Sequence, residues 1–183
     1  MINLNFSPFP NLTTERLVLR RVTGDDVNEM FFLRSNVDIM KYIPRPLVTT
    51  KQEALDHIAS IDSKIEAQEG INWGITLKGD TTLIGVAGFY MINPDNFRAE
   101  IGYILHPNYS GKGLISEVVN QLIDYGFNTM NLHSIEAVIA PENYASAKVL
   151  LKNGFVREGL LRENLYFQGR FLDSAIYALL NKS

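Results

Sequence analysis

The pattern of hydrophobic and polar positions predicts strands first and a mixed arrangement afterwards. Four β-strands are indicated. Apolar and polar residues alternate at Arg16–Val22, Ile71–Lys78 and Arg98–Leu105, and a nearly continuous apolar run extends over Leu83–Ile92. Short turns join the last three of these strands, which predicts an antiparallel meander. Between the first two strands, apolar residues three and four positions apart predict two helices. Thr49 or Thr50 is expected to cap the second helix, whose predicted apolar face is Leu55, Ile58, Ile61 and Ile65.

The second half of the chain alternates strands with helices. A glycine-containing loop follows Leu105, then a helix with an inward apolar face, a strand at Ser134–Ala140 and a short helix capped by Asn143. A strand–helix–strand unit normally forms a parallel pair. The sheet is completed by predicted strands at Phe155–Arg162, Leu165–Gln168 and Phe171–Leu179. The predicted fold class is α/β or α+β, a mostly antiparallel sheet of six or seven strands with one central parallel pair and helices on both faces. Because no linker or repeat interrupts these patterns, we expect one domain over residues 1–183.

Composition narrows the protein class further. The 183 residues are 46% hydrophobic and carry a net charge of -3, which disfavours a dedicated nucleic-acid binder. Cysteine is absent, so no disulfide framework and no thiolate chemistry are expected. No apolar stretch approaches the roughly 20 residues that span a bilayer. These features, together with the lack of a secretory signal, predict a cytoplasmic protein without a membrane partner.

The segment from Ser110 to Ile115 is the strongest candidate for chemistry. It lies between a predicted strand and a predicted helix, where ligands of open sheets bind. Gly111 and Gly113 allow backbone angles that side chains disfavour, and the first amides of the helix face an approaching anion. Lys112 adds positive charge. The spacing is not that of a Walker loop, so the segment is either a phosphate-binding turn or merely a tight turn.

Four segments together resemble the GNAT acetyltransferases, in particular the RimJ/RimL branch that acetylates ribosomal-protein N-termini. The residues from Glu100 to Gly113 are similar to the central motif of that family. The other three are similar to its first strand, its second cofactor motif and its closing strand, and lie at Thr14–Arg20, Asn143–Phe155 and Phe171–Tyr177. The resemblance covers nearly the whole chain in the right order.

The resemblance implies acetyl-CoA as the acyl donor, bound between two splayed parallel strands. Backbone amides of the turn would hold the diphosphate. Ile104 and Leu105 would pair with the pantetheine arm, and one of their N–H groups would face the thioester carbonyl. The cofactor-binding residues implied in this way are Ile104, Leu105, Ser110, Gly111, Lys112, Gly113, Leu114, Ile115, Asn143, Ser146 and Lys148.

The chain departs from the family pattern at three positions. Ser110 stands where Arg or Gln is frequent, and Ile115 stands where Gly or Ala is usual. Both positions act through backbone N–H groups, so phosphate binding is expected to survive. Leu150 stands where many members carry a tyrosine that protonates the leaving thiolate. Ser146 or a water molecule is left for that role.

The expected reaction is direct attack of an amine on the thioester. Glu100 is the candidate base, acting through a water, and its alternative is a solvated strand residue paired with Arg98. The acceptor is predicted to be a protein N-terminal α-amine. A polyamine, an amino-sugar antibiotic, or a non-catalytic role as an acyl-CoA sensor remain as alternatives, and a homodimer is possible. The three histidines lack metal-site spacing, so no metal is expected.

One further segment allows two explanations. Glu163–Gly169 matches a protease site used to remove purification tags, so it is either an engineered remnant or a native hairpin. Gln168 and Gly169 suit a hairpin turn, and a domain-closing strand follows them, which favours the native hairpin.

Overall fold

A computed structural model describes residues 1–182 as one sheet with helices around it. The strands are β1 (Leu12–Thr13), β2 (Leu17–Arg20), β3 (Ile71–Leu77), β4 (Gly85–Asn93), β5 (Arg98–Leu105), β6 (Ser134–Ile139), β7 (Val156–Phe167) and β8 (Arg170–Leu180). The α-helices are α1 (Val27–Ser35), α2 (Val37–Met40), α3 (Lys51–Glu66), α4 (Leu114–Asp124) and α5 (Tyr144–Lys152).

The sheet confirms the predicted architecture. Its order is β1-β2-β3-β4-β5-β6-β8-β7, and every neighbouring pair is antiparallel except β5–β6. It has eight strands rather than six or seven. The strand missing from the sequence prediction is β1, which has two residues and therefore no readable alternation. Two predicted segments, 155–162 and 165–168, form the single strand β7, whose pairing with β8 shifts register between them.

The helices that flank the site begin at the predicted caps. Thr50 caps α3, and Glu53 completes a capping box by accepting hydrogen bonds from the chain before the helix. Asn143 caps α5 through its side-chain oxygen, which accepts from the Ser146 N–H. The buried face of α3 is Ala54, Ile58, Ile61 and Ile65. Leu55, expected on that face, is 37% exposed because the stripe begins one residue earlier.

The two faces of the central sheet differ in character. On one face, Trp73 is fully buried and packs edge-on against Tyr125, with ring centroids 5.2 Å apart, in the π-turn that extends α4. Trp73 is therefore a core residue. The opposite face carries Asn72 and Tyr90, and Arg34 of α1 lies close enough to influence the pKa of Tyr90. The sheet therefore presents a packed apolar face towards α4 and a partly polar face towards α1.

The last two strands form a long hairpin at the sheet edge. Gln168 and Gly169 both have positive φ, of 47° and 82°, which is the geometry of a type I′ turn. The predicted hairpin turn is confirmed, and Glu163–Gly169 comprises this turn and the end of β7 that leads into it. Among residues 1–182, no helix is long and apolar enough to cross a membrane.

Candidate active site

The parallel strands β5 and β6 separate soon after they pair. Their register runs over three positions and ends at Glu100 opposite Glu136. Beyond that point β6 pairs only with β8, while β5 continues along β4 to Leu105. A cleft therefore opens in the middle of the sheet, between the C-terminal part of β5 and the end of β6.

Backbone groups of β5 point alternately to β4 and to this cleft. His106 N–H donates to the Ile84 carbonyl of the β4 side at 2.7 Å, and the Phe97 carbonyl accepts from His133 N–H of the β6 side at 2.7 Å. Because peptide groups alternate along a strand, Ile104 faces β4, whereas Tyr103 and Leu105 face the cleft. Of the two predicted pantetheine contacts, Leu105 is the one whose N–H is directed to the cleft.

The glycine turn leads from β5 into α4. Residues 107–109 form a short 3-10 turn, and Gly111 and Gly113 then adopt φ of +73° and +77°. A non-glycine residue is strained at such angles. Gly113 is the N-cap residue of α4 and has no side chain with which to cap it.

The amides of this turn remain available for an anion. Ser110 N–H donates to the Pro107 carbonyl at 3.0 Å, and Glu117 N–H donates to the Gly113 carbonyl at 3.2 Å. Within residues 1–182, the N–H groups between them, from Gly111 to Ser116, have no partner. They lie at the positive end of the α4 dipole. Residues 110–115 were all predicted to bind phosphate through their backbone. Each of them except Ser110 therefore has a free N–H group.

An arginine that sequence reasoning missed holds this turn in place. Arg16 Nη1 donates to the Lys112 carbonyl at 3.0 Å, and Arg16 Nε donates to Glu117 Oε2 at 2.8 Å. The Arg16 N–H and the Thr14 hydroxyl donate to the other carboxylate oxygen of Glu117. Desolvation acts to raise the pKa of Glu117, but these hydrogen bonds outweigh it and hold the pKa below its ordinary value.

We expect Arg16→Ala to weaken CoA binding about tenfold, or ~1.4 kcal/mol. The substitution releases the Lys112 carbonyl and leaves the Glu117 carboxylate uncompensated in the first turn of α4, where it repels an anion. Isothermal titration with CoA measures the effect. Arg21→Ala is the matched control, because Arg21 forms a similar ion pair with Asp62 away from the turn. Equal CoA affinity in the two variants would contradict the role of Arg16 in holding the turn.

Glu100 lies at the last paired position of β5 and β6, where the cleft begins, in an unusual electrostatic environment. Burial first, and the neighbouring Glu136 second, raise the pKa of Glu100 to about 7, while Arg45 opposes the shift. The alternative pairing with Arg98 is not present, because Arg98 Nη1 binds Glu136 at 3.1 Å instead. Glu100 is therefore a half-buried carboxyl that exchanges its proton near neutral pH, as a general base requires.

The sheet face around Glu100 carries additional polar groups. Tyr90 is directly opposite Glu100 on β4, and its ring covers Gly102, where a Cβ would lie 3.0 Å from the ring. Burial raises the pKa of Tyr90 to about 12, so the phenol stays protonated. The Nε of Arg34 is buried without a partner among residues 1–182. The Asn72 side chain lies beside the Tyr90 hydroxyl, and its hydrogen bond opposes the rise in the pKa of Tyr90. This face carries one titrating carboxyl and several hydrogen-bond donors.

Ser146 lies on the other side of the cleft, in the first turn of α5. It is 8% exposed, and its Oγ lies 2.7 Å from the Tyr103 hydroxyl of β5. Tyr103 is a phenol that sequence reasoning missed. Leu150, one turn further along α5, is fully buried in the core. A phenol is thus present beside Ser146 although position 150 is apolar.

The remaining predicted cofactor residues lie around the cleft. The Asn143 side-chain oxygen accepts from Ser146 N–H at 3.1 Å, so it serves as a helix cap in this structure. Lys112 places its ammonium 5.4 Å from the centroid of the Tyr109 ring. Lys148 is exposed on α5. These cations lie on the elements that bound the cleft and the turn.

The donor set fits the diphosphate of an acyl-CoA better than it fits a metal. A row of free amides at a helix N-terminus suits an anion, and Leu105 offers a free peptide edge to an amide-containing arm. Within residues 1–182, no group of three or more His, Asp or Glu side chains is placed to hold a metal ion.

Comparison with known proteins agrees with this geometry. The sequence pattern of the acetyltransferase (GNAT) domain matches residues 16–156. An uncharacterized N-acetyltransferase of Bacillus licheniformis, p20, is 41% identical over 93% of this chain and 96% of its own length. A GNAT-family acetyltransferase structure from Bacillus anthracis is 30% identical and superimposes with a TM-score of 0.83, covering 93% of this chain and 98% of its own.

Two further relatives carry named acceptors. The structure of a ribosomal-protein-S5-alanine acetyltransferase from Vibrio fischeri is 25% identical, with a TM-score of 0.83 and coverage of 95% of this chain and 98% of its own. A spermidine N(1)-acetyltransferase from Vibrio cholerae is 29% identical over 91% of this chain and 95% of its own length. Because family, fold and cleft agree, the chain belongs to the GNAT family, where it resembles the RimJ/RimL branch and is an acetyl-CoA-dependent N-acetyltransferase.

Proposed function

We propose that this enzyme transfers the acetyl group of acetyl-CoA to the α-amine of a protein N-terminus. The observation that carries the proposal is the environment of Glu100, whose pKa is raised to about 7 at the point where the cleft begins. An α-ammonium group has a pKa of about 7.7–8.0, and a lysine-type ammonium about 10.4. A base that titrates near 7 is well matched to the first and poorly matched to the second.

In this proposal the amine nitrogen attacks the thioester carbonyl directly. Glu100 takes the amine proton through a water, the C–N bond forms and the C–S bond breaks. The Leu105 N–H, directed to the cleft, hydrogen-bonds the oxygen on which charge develops. Ser146 lies where the sulfur departs and donates a hydrogen bond to it. No step requires a metal.

The donor would be held mainly by backbone groups. The amides of Gly111, Lys112, Gly113, Leu114 and Ile115 bind the diphosphate, and Ser110 lines the turn. Ile104 keeps β5 on β4 while Leu105 pairs with the pantetheine arm. The side-chain amide of Asn143 borders that arm, and Lys148 reaches towards the 3′-phosphate. Free amides and positive φ angles along the turn support this arrangement.

The charges beside Glu100 favour a peptide over a polyamine. Arg34 and Arg45 both act on groups of this face, Arg34 on Tyr90 and Arg45 on Glu100. A polycation such as spermidine would meet these fixed positive charges, whereas a peptide N-terminus brings carbonyl oxygens that accept from donors. The spermidine relative keeps a small amine as the second candidate. A titrating carboxyl argues against the third, a sensor without turnover.

An acceptor panel tests the proposal. We expect a lysine-free peptide with a free N-terminus to give a kcat/KM at least about tenfold above that of spermidine, from the difference in amine pKa. The control peptide has a blocked N-terminus and one internal lysine, and we expect no turnover. Thiol release from acetyl-CoA is the measurement. Faster reaction with spermidine would transfer the proposal to small amines, and CoA binding without turnover on any amine would favour a sensor.

We further propose that residues 1–183 act as one acetyltransferase domain in the cytoplasm, and that two copies associate. A single core cluster that spans the sheet and its helices supports one domain. Lack of cysteine fits a reducing compartment. The β7–β8 hairpin supports association, because it exposes Leu160, Leu161, Tyr166 and Phe171. A sedimentation measurement that finds only monomer would remove the homodimer.

A further inference from the structure

We propose that Tyr103 is a positioning residue, which fixes the Ser146 hydroxyl as the hydrogen-bond donor to the departing thiolate. The inference rests on the proposed acetyl transfer and concerns the same site. It answers how the enzyme stabilises the thiolate with Leu150 at the position of the family tyrosine. No motif in the sequence links the two residues, which lie 43 positions apart.

The geometry places the pair across the cleft. Tyr103 lies three residues beyond Glu100, the last position of β5 that pairs with β6. Its side chain lies on the face of the sheet that α5 covers. Its hydroxyl is 2.7 Å from Ser146 Oγ. Ser146 is itself fixed, because its N–H binds the Asn143 cap at 3.1 Å. Both hydroxyls are therefore held at the point where β5 and β6 have separated.

The direction of this hydrogen bond follows from acidity. The geometry of the two hydroxyls allows either oxygen to donate. We take Tyr103 as the donor and Ser146 as the acceptor, because a phenol is a stronger acid than an aliphatic hydroxyl. Burial raises the pKa of Tyr103 to about 12, with the bond to Ser146 opposing the shift, so the phenol remains protonated wherever the enzyme works. The proton of Ser146 is then free to turn to a second acceptor, and donation from Tyr103 strengthens it as a donor.

The second acceptor in the cleft is the sulfur of the acyl donor. As the C–S bond breaks, its electron pair moves to sulfur, and the Ser146 hydroxyl donates a hydrogen bond to the developing charge. The proton that completes the thiol comes from water, while the amine proton leaves through Glu100. Tyr103 does not touch the substrate in this scheme. It acts only through Ser146, and this distinguishes it from a general acid.

A double-mutant cycle separates this role from simple packing. We expect Tyr103→Phe to lower kcat about tenfold with the Kd for CoA changed less than twofold, and Ser146→Ala to do at least the same. Because Tyr103 acts through Ser146, the double variant should match Ser146→Ala alone. Tyr125→Phe is the control, since Tyr125 is a buried tyrosine against Trp73 and outside the cleft. Additive losses, or a loss confined to CoA affinity, would overturn the proposal.

A second measurement works without any acceptor. The ultraviolet absorbance of the thiolate reports the pKa of the CoA thiol in the binary complex. A hydrogen bond from Ser146 lowers that pKa, so we expect Tyr103→Phe and Ser146→Ala to raise it by similar amounts, up to about one unit, which is a tenfold change. Identical thiol pKa values in wild type and Tyr103→Phe would overturn the role of Tyr103. Failure of the acceptor panel alone would instead overturn the proposed function.

Discussion

Glu100→Gln is expected to lower kcat about 100-fold at pH 7, the lower end of what a positioned general base contributes. The amide has nearly the shape of the carboxyl but cannot accept the amine proton. In the wild type, Glu100 loses its proton as the pH rises through about 7, so the rate should rise over that interval and fall below it. The variant should lose this rise in rate near pH 7. It should regain part of its activity at alkaline pH, where the amine is already neutral.

Glu136→Gln is the matched control for the base. It removes the negative charge that, after burial, most raises the pKa of Glu100, and it frees Arg98. The pKa of Glu100 should therefore fall, and the rise in rate should move to lower pH. The base itself remains, and kcat at pH 8 should change little. Steady-state rates from pH 5.5 to 9 test both variants. A Glu100→Gln profile that keeps the wild-type rise in rate would remove Glu100 as the base.

Gly113→Asp is expected to weaken CoA binding at least about 100-fold while the fold survives. Two effects add: aspartate is strained at a φ of +77°, and its charge lies at the N-terminus of α4, where the diphosphate would bind. A Cβ at this position would lie 3.7 Å from Arg16 Nη2, so the carboxylate would also compete for that cation. Isothermal titration with CoA measures the loss.

Two controls separate charge from backbone strain and from general instability. Gly113→Asn has nearly the same shape and meets the same backbone strain without the charge, so we expect only a few-fold weaker binding. Gly79→Asp places aspartate at a φ of +83° in a turn with open space around it, away from the cleft. It should match wild type in CoA affinity. Equal affinities for Gly113→Asp and Gly113→Asn would contradict an anion at this position.

Local sequence patterns predicted most strands and helices, because hydrophobic alternation and helix capping depend on residues that are close in sequence. Alternation predicted β3 and β5, a nearly continuous apolar run predicted β4, and helix caps predicted the starts of α3 and α5. The two-residue β1 was missed, since its pairing with β2 is decided by tertiary contacts. Leu55 was placed on the wrong face of α3 because its spacing fits both the buried stripe and its rim.

The same distinction between local and long-range contacts explains which site residues could be predicted. Gly111 and Gly113 were predicted because a turn between strand and helix is visible in a short segment. Arg16 and Tyr103 were missed as functional because their partners are distant in sequence, 101 residues away for Glu117 and 43 for Ser146. The environment of Glu100 depends on which strand lies beside β5. The resemblance of Thr14–Arg20 to the first strand of the family was the one available signal for Arg16.

The open edge of β5 has a consequence for the lifetime of the protein. Beyond Glu100 the sheet lacks one strand in its middle, and a bound acyl-CoA would complete it by hydrogen bonding to Leu105. A ligand that binds only the folded state at 100 times its Kd adds about 2.7 kcal/mol to the free energy of unfolding. The abundance of acyl-CoA would then set how often the sheet opens to proteases, so a starved cell would lose this enzyme faster than a well-fed one.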